Sequence, residues 1–287
     1  VGTKNVSDIT KSELANWMVG REVIMTRELE KLERGPSRLT LENLACDSNR
    51  GTPALRDVSL KVHSGEILGL AGISGNGQRE LAEAITGLRE VTKGKVILED
   101  EDITHFAPGK ITERMLSYIP EERMRDGMIK NFTIAENMVL REHHISPFAE
   151  KGFLMLKTIA RHSDNLIDKF GVKTPSRETK AGSLSGGNIQ KVVLAREISR
   201  KPRVIVAAQP TRGLDVGATE YVHAQLLEQR RDGTAIIMIS EDLDEIMAIS
   251  DRIAVICEGE IMGIVPRYEA TPEKLGLMMA GVVPEEN

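Results

Sequence analysis

Long apolar runs are missing from this sequence. A membrane-spanning helix needs about 20 consecutive apolar residues, and the uninterrupted apolar stretches here are only a few residues long. No secretory pattern is visible in the first residues. Cysteine is nearly absent. Cys46 and Cys257 are far apart and fit no metal-site spacing, and two free thiols suit a reducing compartment. A basic excess is lacking too. With 38 Lys and Arg against 43 Asp and Glu, the formal net charge is −5. That leaves no broad basic footprint for nucleic acid. What is present is ordinary for a folded chain: 40% hydrophobic and 28% charged residues over 287 positions. There is room for one large domain or two small ones.

From Leu39 onward, strand-like and helix-like stretches alternate. The runs "EILGLAGI", "KVILE", "LSYIP", "RVIVAA", "AIIMIS" and "RIAVICEGEIMGIV" read as strands. "QRELAEAITGL" has helical periodicity. This alternation predicts an α/β fold with a mostly parallel central sheet. The region from about Asn131 to Lys180 breaks the pattern and reads as a mostly helical insertion, with "TIAENMVLREH" as its clearest helix.

Two distant stretches share residues at the same offsets. In "TKSELANWMVGREV" and "TPEKLGLMMAGVVP", Thr10, Leu14, Met18 and Gly20 match Thr271, Leu275, Met279 and Gly281. Each opens on a capping Thr and then spaces apolar residues at helical period. Either the two are unrelated amphipathic helices, or both close a duplicated domain whose first copy lies before Val1. On the second reading, residues 1–25 are the C-terminal helix of a preceding domain. Residues 26–38 are a charged linker containing Gly35-Pro36, and residues 39–287 form the domain proper.

"GISGNGQRE" has the layout of a phosphate-wrapping loop, G-x-x-x-x-G-K-[ST]. Gly72 and Gly77 keep the spacing, but Gln78 stands in place of Lys and Arg79 in place of Ser or Thr. This is a nucleotide site that has lost its chemistry, or a glycine-rich turn that never had any. Farther on, "LSGGNIQKVVLAREI" places Leu184, Ser185, Gly186, Gly187 and Asn188 ahead of a helix with Ile189, Val192, Val193 and Ile198 on its apolar side. Such a helix start offers amides and a positive dipole end to an anion, or is a plain loop capping a helix.

The order of glycine loop, helical insertion, "LSGGN", the strand "RVIVAA", "PTRGLDVGA" and the strand "AIIMIS" resembles the ATP-binding cassette (ABC) ATPases from Leu39 on. The segments "YIPEERMRDGMI" and "PTRGLDVGA" look like the tandem-cassette subunits of bacterial simple-sugar and nucleoside importers. The resemblance implies a P-loop NTPase-like cassette, with a mostly parallel sheet, an antiparallel β region and a helical subdomain at about residues 128–185. It implies that this chain is the second cassette, with the tail of the first attached. It also implies partners: the first cassette, transmembrane permease subunits and, indirectly, an extracellular substrate-binding protein, with no nucleic acid. The expected location is peripheral, on the cytoplasmic face of the cell membrane.

The resemblance also marks what is lost. Working members carry Lys and Ser/Thr where Gln78 and Arg79 stand, and Asp-Glu where Ala208 and Gln209 stand. They carry His at Glu241, Gln at Glu121, and an adenine-stacking aromatic near Asn49. Without the Lys the phosphates lose a point charge, and without the Asp a metal loses an anchor. Gln209 cannot accept a proton as Glu can. No catalytic or metal-binding residue is therefore expected in this chain. Gly72, Ser74, Gly75, Asn76, Gly77, Gln78, Arg79 and Glu80 can still form an amide nest, expected to take ATP weakly or without productive metal. Leu184, Ser185, Gly186, Gly187, Asn188 and Asp215 are expected to serve Mg-ATP held by the first cassette. The competing readings are an independent ATPase that uses Arg79 and Gln209 unconventionally, and a soluble cassette protein outside transport.

Overall fold

The computed structural model describes residues 29–282. The helix expected at Thr10–Val23, the first residues of the linker and the last five residues lie outside that range.

Three strands are buried along their whole length: β3 (Ile67–Ala71), β9 (Val204–Ala208) and β10 (Ala235–Ile239). Continuous apolar runs of this kind are what a parallel sheet covered on both faces requires. They sit at the centre of a six-stranded sheet, flanked by β6 (Leu116–Ile119) on one edge and by β11 (Arg252–Cys257) and β12 (Glu260–Pro266) on the other, in the order β12-β11-β3-β10-β9-β6. All neighbours pair in parallel except β11 with β12. Side chains alternate between the two faces. Ile67, Ile205, Ile236 and Ile253 enter one core, while Leu68, Val206, Ile237 and Ala254 enter the other.

The first core is roofed by α5 (Gly186–Ser199), α6 (Val216–Arg231), α7 (Leu243–Ile249) and α8 (Pro272–Met279). The second is closed by α1 (Gln78–Ile85), by α2 (Pro108–Glu113) and by an antiparallel sheet of β1 (Ser37–Asp47), β2 (Pro53–His63), β4 (Lys93–Leu98) and β5 (Glu101–Asp102). Each fully buried Leu, Ile or Val stabilises the fold by about 1.5–3 kcal/mol relative to exposure, so these two cores hold the central sheet from both sides. Cys46 and Cys257 form no disulfide, and burial pushes the Cys46 thiol up to about 11.

The helical subdomain departs from expectation in one respect. "TIAENMVLREH" forms only α3 (Ile134–Met138), a five-residue helix. Thr133 and Glu136 make a capping box, but Asn137 turns inward and bonds backward. It accepts from the Ile129 amide at 2.8 Å and donates to the Thr133 carbonyl at 2.9 Å. The long helix is α4 (Leu156–Phe170), which the hairpin of β7 (Ala149–Glu150) and β8 (Phe153–Leu154) precedes. The linker range also differs from its reading, because Ser37 and Arg38 already belong to β1. The residues before them are fastened down. The Gly35 amide donates to Ser64 at 3.0 Å, and buried Arg230 donates to the Glu30 carbonyl at 3.0 Å.

Candidate functional site

Parallel pairing brings four strand ends to one edge. Ile239 sits level with Leu70 and Ala208, and Ile119 level with Ala207. The loops that follow β3, β6, β9 and β10 therefore converge, as loops at the carboxyl edge of an open α/β sheet do. They enclose a cleft of about 160 Å³ lined by Ser74, Gln78, Arg79, Glu121, Gln209 and Glu241, among others. Six of the seven positions singled out from the sequence as losses thus meet in one place, while Asn49 lines the neighbouring groove. Gly75 and Ala208 line the same cleft.

Gly77 opens α1 at φ 106, and a Cβ there would come within 2.9 Å of the Ala54 carbonyl, so only glycine fits. The loop ahead of it is closed on itself. Gln78, 7% exposed, accepts the Asn76 amide proton on Oε1 at 3.1 Å and donates from Nε2 to the Ile73 carbonyl at 3.0 Å. The Asn76 amide also reaches the Ile73 carbonyl at 3.2 Å. The tip is pinned from outside, because Asn76 Oδ1 accepts from Glu258 at 2.9 Å and its carbonyl accepts from Gly259 at 3.0 Å. Ser74 and Gly75 are exposed and Gly72 is buried.

Arg79 turns away from the loop. Its Nε donates to Glu83 at 2.7 Å, and hydrogen bonding to Glu83 raises its pKa further. Glu83 also takes Arg89 at 2.6 Å, and Arg89 reaches Asn49 Oδ1 at 2.8 Å. The place expected for an adenine-stacking ring is thus held by an arginine-to-amide contact. Glu80 lies partly exposed in the first turn of α1.

Across the cleft, Gln209 adopts φ 47, a left-handed conformation unusual for a residue with a Cβ. Its amide donates to Ile239 at 2.8 Å, and its Oε1 faces the Glu241 amide at 3.5 Å. Ala208 offers no ligand. Glu121 pairs with Arg212. Five carboxylates and two guanidiniums line the cleft, so its formal charge opposes a polyanion. Its volume is below the roughly 300 Å³ at which ligand pockets begin. Two metal ligands that the family resemblance leads one to expect are replaced here, by Arg79 and Ala208. The hydroxyl and the strand-end carboxylate that would hold the metal are absent, and the amide that would meet a phosphate already bonds Gln78. No cluster of three or more His, Cys, Asp or Glu able to hold a metal occurs among the described residues.

The signature is arranged differently. Ser185 is the N-cap of α5, but its hydroxyl does not cap the helix. It accepts from Asn188 Nδ2 at 2.9 Å, while Asn188 Oδ1 takes the Lys173 amide at 2.8 Å. Ser185 is exposed, Leu184, Gly186 and Gly187 are half-buried, and Ile189, Val192, Val193 and Ile198 are buried beneath them. Asp215 caps α6, accepting from Ala218 at 2.8 Å.

Two features carried no signal in the sequence. Glu245 is 7% exposed and accepts from Thr211 at 2.6 Å, His223 at 2.9 Å and Ser240 at 2.5 Å. Burial works to raise its pKa, but the hydrogen bonds from His223, Ser240 and Thr211 outweigh burial and hold the carboxyl below its ordinary value. It joins the loop after β9 to the loop after β10. The other is a groove of about 790 Å³ between α1 and the helical subdomain. Arg79, Glu83 and Arg125 line both it and the cleft.

Among the described residues no helix is long and apolar enough to cross a membrane. The chain is 44% identical, over 100% of its length, to the guanosine import ATP-binding protein NupO of Bacillus subtilis, and 36% identical over 96% to the ribose import ATP-binding protein RbsA of Clostridium tetani. It spans only 56% and 53% of those proteins, about half the length of the curated relatives it matches. Among solved structures, MJ1267, an ATP-binding cassette of an ABC transporter, superposes with a TM-score of 0.71 at 22% identity, covering 87% of this chain and 100% of that one. At that identity the likeness bears on the fold alone. The family model described as ABC transporter matches residues 55–212, more than half of the chain. With the layered sheet and the converging loops, these matches establish that the chain belongs to the ABC transporter family, as an ATP-binding cassette.

Proposed function

We propose that this chain is a degenerate cassette of a bacterial importer for nucleosides or simple sugars. It lends its signature to ATP held by a companion cassette and hydrolyses none itself. The observation that carries the reading is the contrast between two anion-binding devices in one domain. The phosphate loop is filled by its own Gln78, whereas Ser185 is exposed at the mouth of α5 with its helix amides uncapped. In this reading the companion supplies the Lys, the metal anchor and the base, and this chain supplies Ser185, Gly186, Gly187, Asn188 and Asp215.

The companion is the first cassette of a tandem polypeptide, which is consistent with relatives nearly twice as long. The assembly sits on the cytoplasmic face of the membrane against permease subunits, fed by an extracellular binding protein. The groove beside Arg125 is the surface offered to the permease. Relatives named for guanosine and nucleoside import stand at 44% identity, one named for glucose import at 42% and one named for ribose import at 36%, so both substrate classes stay within the proposal.

Phosphate release tests the division of labour. The isolated chain should release none from Mg-ATP above a metal-free control. In the complete transporter, Ser185→Arg should lower ATP turnover by about 10²-fold or more, the scale of removing an oxyanion donor, while Gln78→Ala leaves turnover near normal. Equal losses from the two substitutions refute the asymmetry. Sustained hydrolysis by the isolated chain favours an independent ATPase instead.

A further inference from the structure

The segment Glu121–Gly127 leaves β6 and leads into the helical subdomain. Its charged sequence suggests a solvated loop, yet it is held at three points. Arg123 Nη1 donates to the Arg212 carbonyl at 2.6 Å, and Nη2 reaches the Gly213 carbonyl at 3.5 Å. In return, the Arg212 guanidinium pairs with the Glu121 carboxylate. At the far end, buried Arg196 of α5 donates to the Gly127 carbonyl at 2.8 Å.

The Arg123 guanidinium also lies against the signature. A Cβ added to Gly186 would stand 3.1 Å from Nη2, and one added to Gly213 would stand 3.7 Å from it. One side chain therefore touches the segment after β6, the loop after β9 and the start of α5. The loop after β9 is in turn anchored at Thr211 by Glu245 and at Asp215 by the cap of α6. Burial lowers the Arg123 pKa, so its carbonyl partners receive a cation partly stripped of water, a setting in which hydrogen bonds strengthen. The planar fork suits two carbonyls on successive residues, which an ammonium point charge does not match.

We infer that Arg123 is a positioning residue. It locks the Glu121–Gly127 segment to the Arg212–Gly213 turn and to Gly186, so that a displacement of the segment moves Ser185 and Asp215 with it. The lock stands on this chain alone. Its effect on turnover rests on the shared ATP site proposed above.

Two measurements test it. In hydrogen exchange on this chain, Arg123→Ala should speed the amides of both residues 121–127 and residues 209–215 by about tenfold, the loss expected for one charge-assisted contact. The amides of β3, β9 and β10 should stay unchanged. Acceleration confined to residues 121–127, or spread over the whole domain, overturns the lock. In the complete transporter, Arg123→Lys should lower kcat by about tenfold with the KM for ATP nearly unchanged. The exchanged pair Glu121→Arg with Arg212→Glu should recover most of what either single change loses. A raised KM at unchanged kcat, or unchanged turnover in every variant, overturns the positioning role. Failure of the shared-site reading has a different signature: Ser185→Arg is then harmless while the exchange result stands.

Discussion

Removing the Gln78 amide tests whether the phosphate loop is closed from within. In Gln78→Ala, two neutral hydrogen bonds disappear, at 3.1 Å and 3.0 Å, each worth about 1 kcal/mol net. A buried methylene goes with them, worth about 0.8 kcal/mol. The loss is softened because the Asn76 amide and the Ile73 carbonyl still bond each other at 3.2 Å. The net expectation is destabilisation of about 2 kcal/mol, or about 4–8 °C in the melting temperature of a domain this size. Calorimetry supplies the temperature, and amide exchange at Asn76 supplies the local readout, since its protection should fall more than that of β3. An unchanged melting temperature together with unchanged protection at Asn76 refutes the reasoning, because the side chain then contributes nothing to the loop.

Two further expectations rest on buried polar groups. The depressed pKa of Glu245 means that the unfolded chain binds this proton more readily than the folded one. Its contribution to stability is therefore complete above the ordinary glutamate value of 4.5 and is lost as pH falls through the lower folded value. Urea titrations should find Glu245→Gln less stable than the parent by about 2 kcal/mol at pH 7, with the gap narrowing below pH 4; a constant gap across that range contradicts the assignment. Asn137→Ala should cost about 2 kcal/mol by removing the bonds of a fully buried side chain to the Ile129 amide at 2.8 Å and the Thr133 carbonyl at 2.9 Å, measured by urea unfolding, and should leave the exchange of the central strands unaltered.

The central sheet was legible because its strands are covered on both faces, and such strands read as unbroken apolar runs whatever their order. The position of the cleft followed from the same sheet, since Gly72 and Glu241 come just after such runs and Ala208 ends one. The helical subdomain was harder to read. Periodicity in "TIAENMVLREH" was real, but the Asn137 side chain bonds backward to the Ile129 and Thr133 backbone, and the helix stops at Met138. The long helix that follows starts without a capping side chain at Met155, so it lacked the usual start signal. The contacts of Arg123, Arg196 and Arg230 were invisible for another reason. Their partners include backbone carbonyls at Arg212, Gly127 and Glu30, far away in sequence. Every residue offers a carbonyl, so no residue type marks the acceptor.

The positions that the proposed function reads as lost ligands mostly carry side chains with partners of their own. In place of a Lys directed at phosphate, Gln78 bonds its own loop. In place of a metal-binding hydroxyl, Arg79 pairs with Glu83, and through Glu83 and Arg89 the chain of contacts reaches Asn49. Glu121 is paired with Arg212, and Gln209 faces the Glu241 amide. Ala208 and Glu241 are the exceptions, since an alanine can form no such contact and Glu241 takes part only through its backbone amide. Buried polar groups are costly unless satisfied, and a site that keeps a ligand holds some of its groups unsatisfied until the ligand arrives. In the phosphate loop those demands are met internally by Gln78, which favours a loop that is stable without nucleotide. Substituting a Lys at Gln78 alone meets a cleft that still lacks a carboxylate at Ala208 and still carries more acids than bases. The signature stands apart from the phosphate loop, because α5 is anchored by Arg196 and Asn188, and its link to the cleft runs through Arg123 and the Glu121 segment instead.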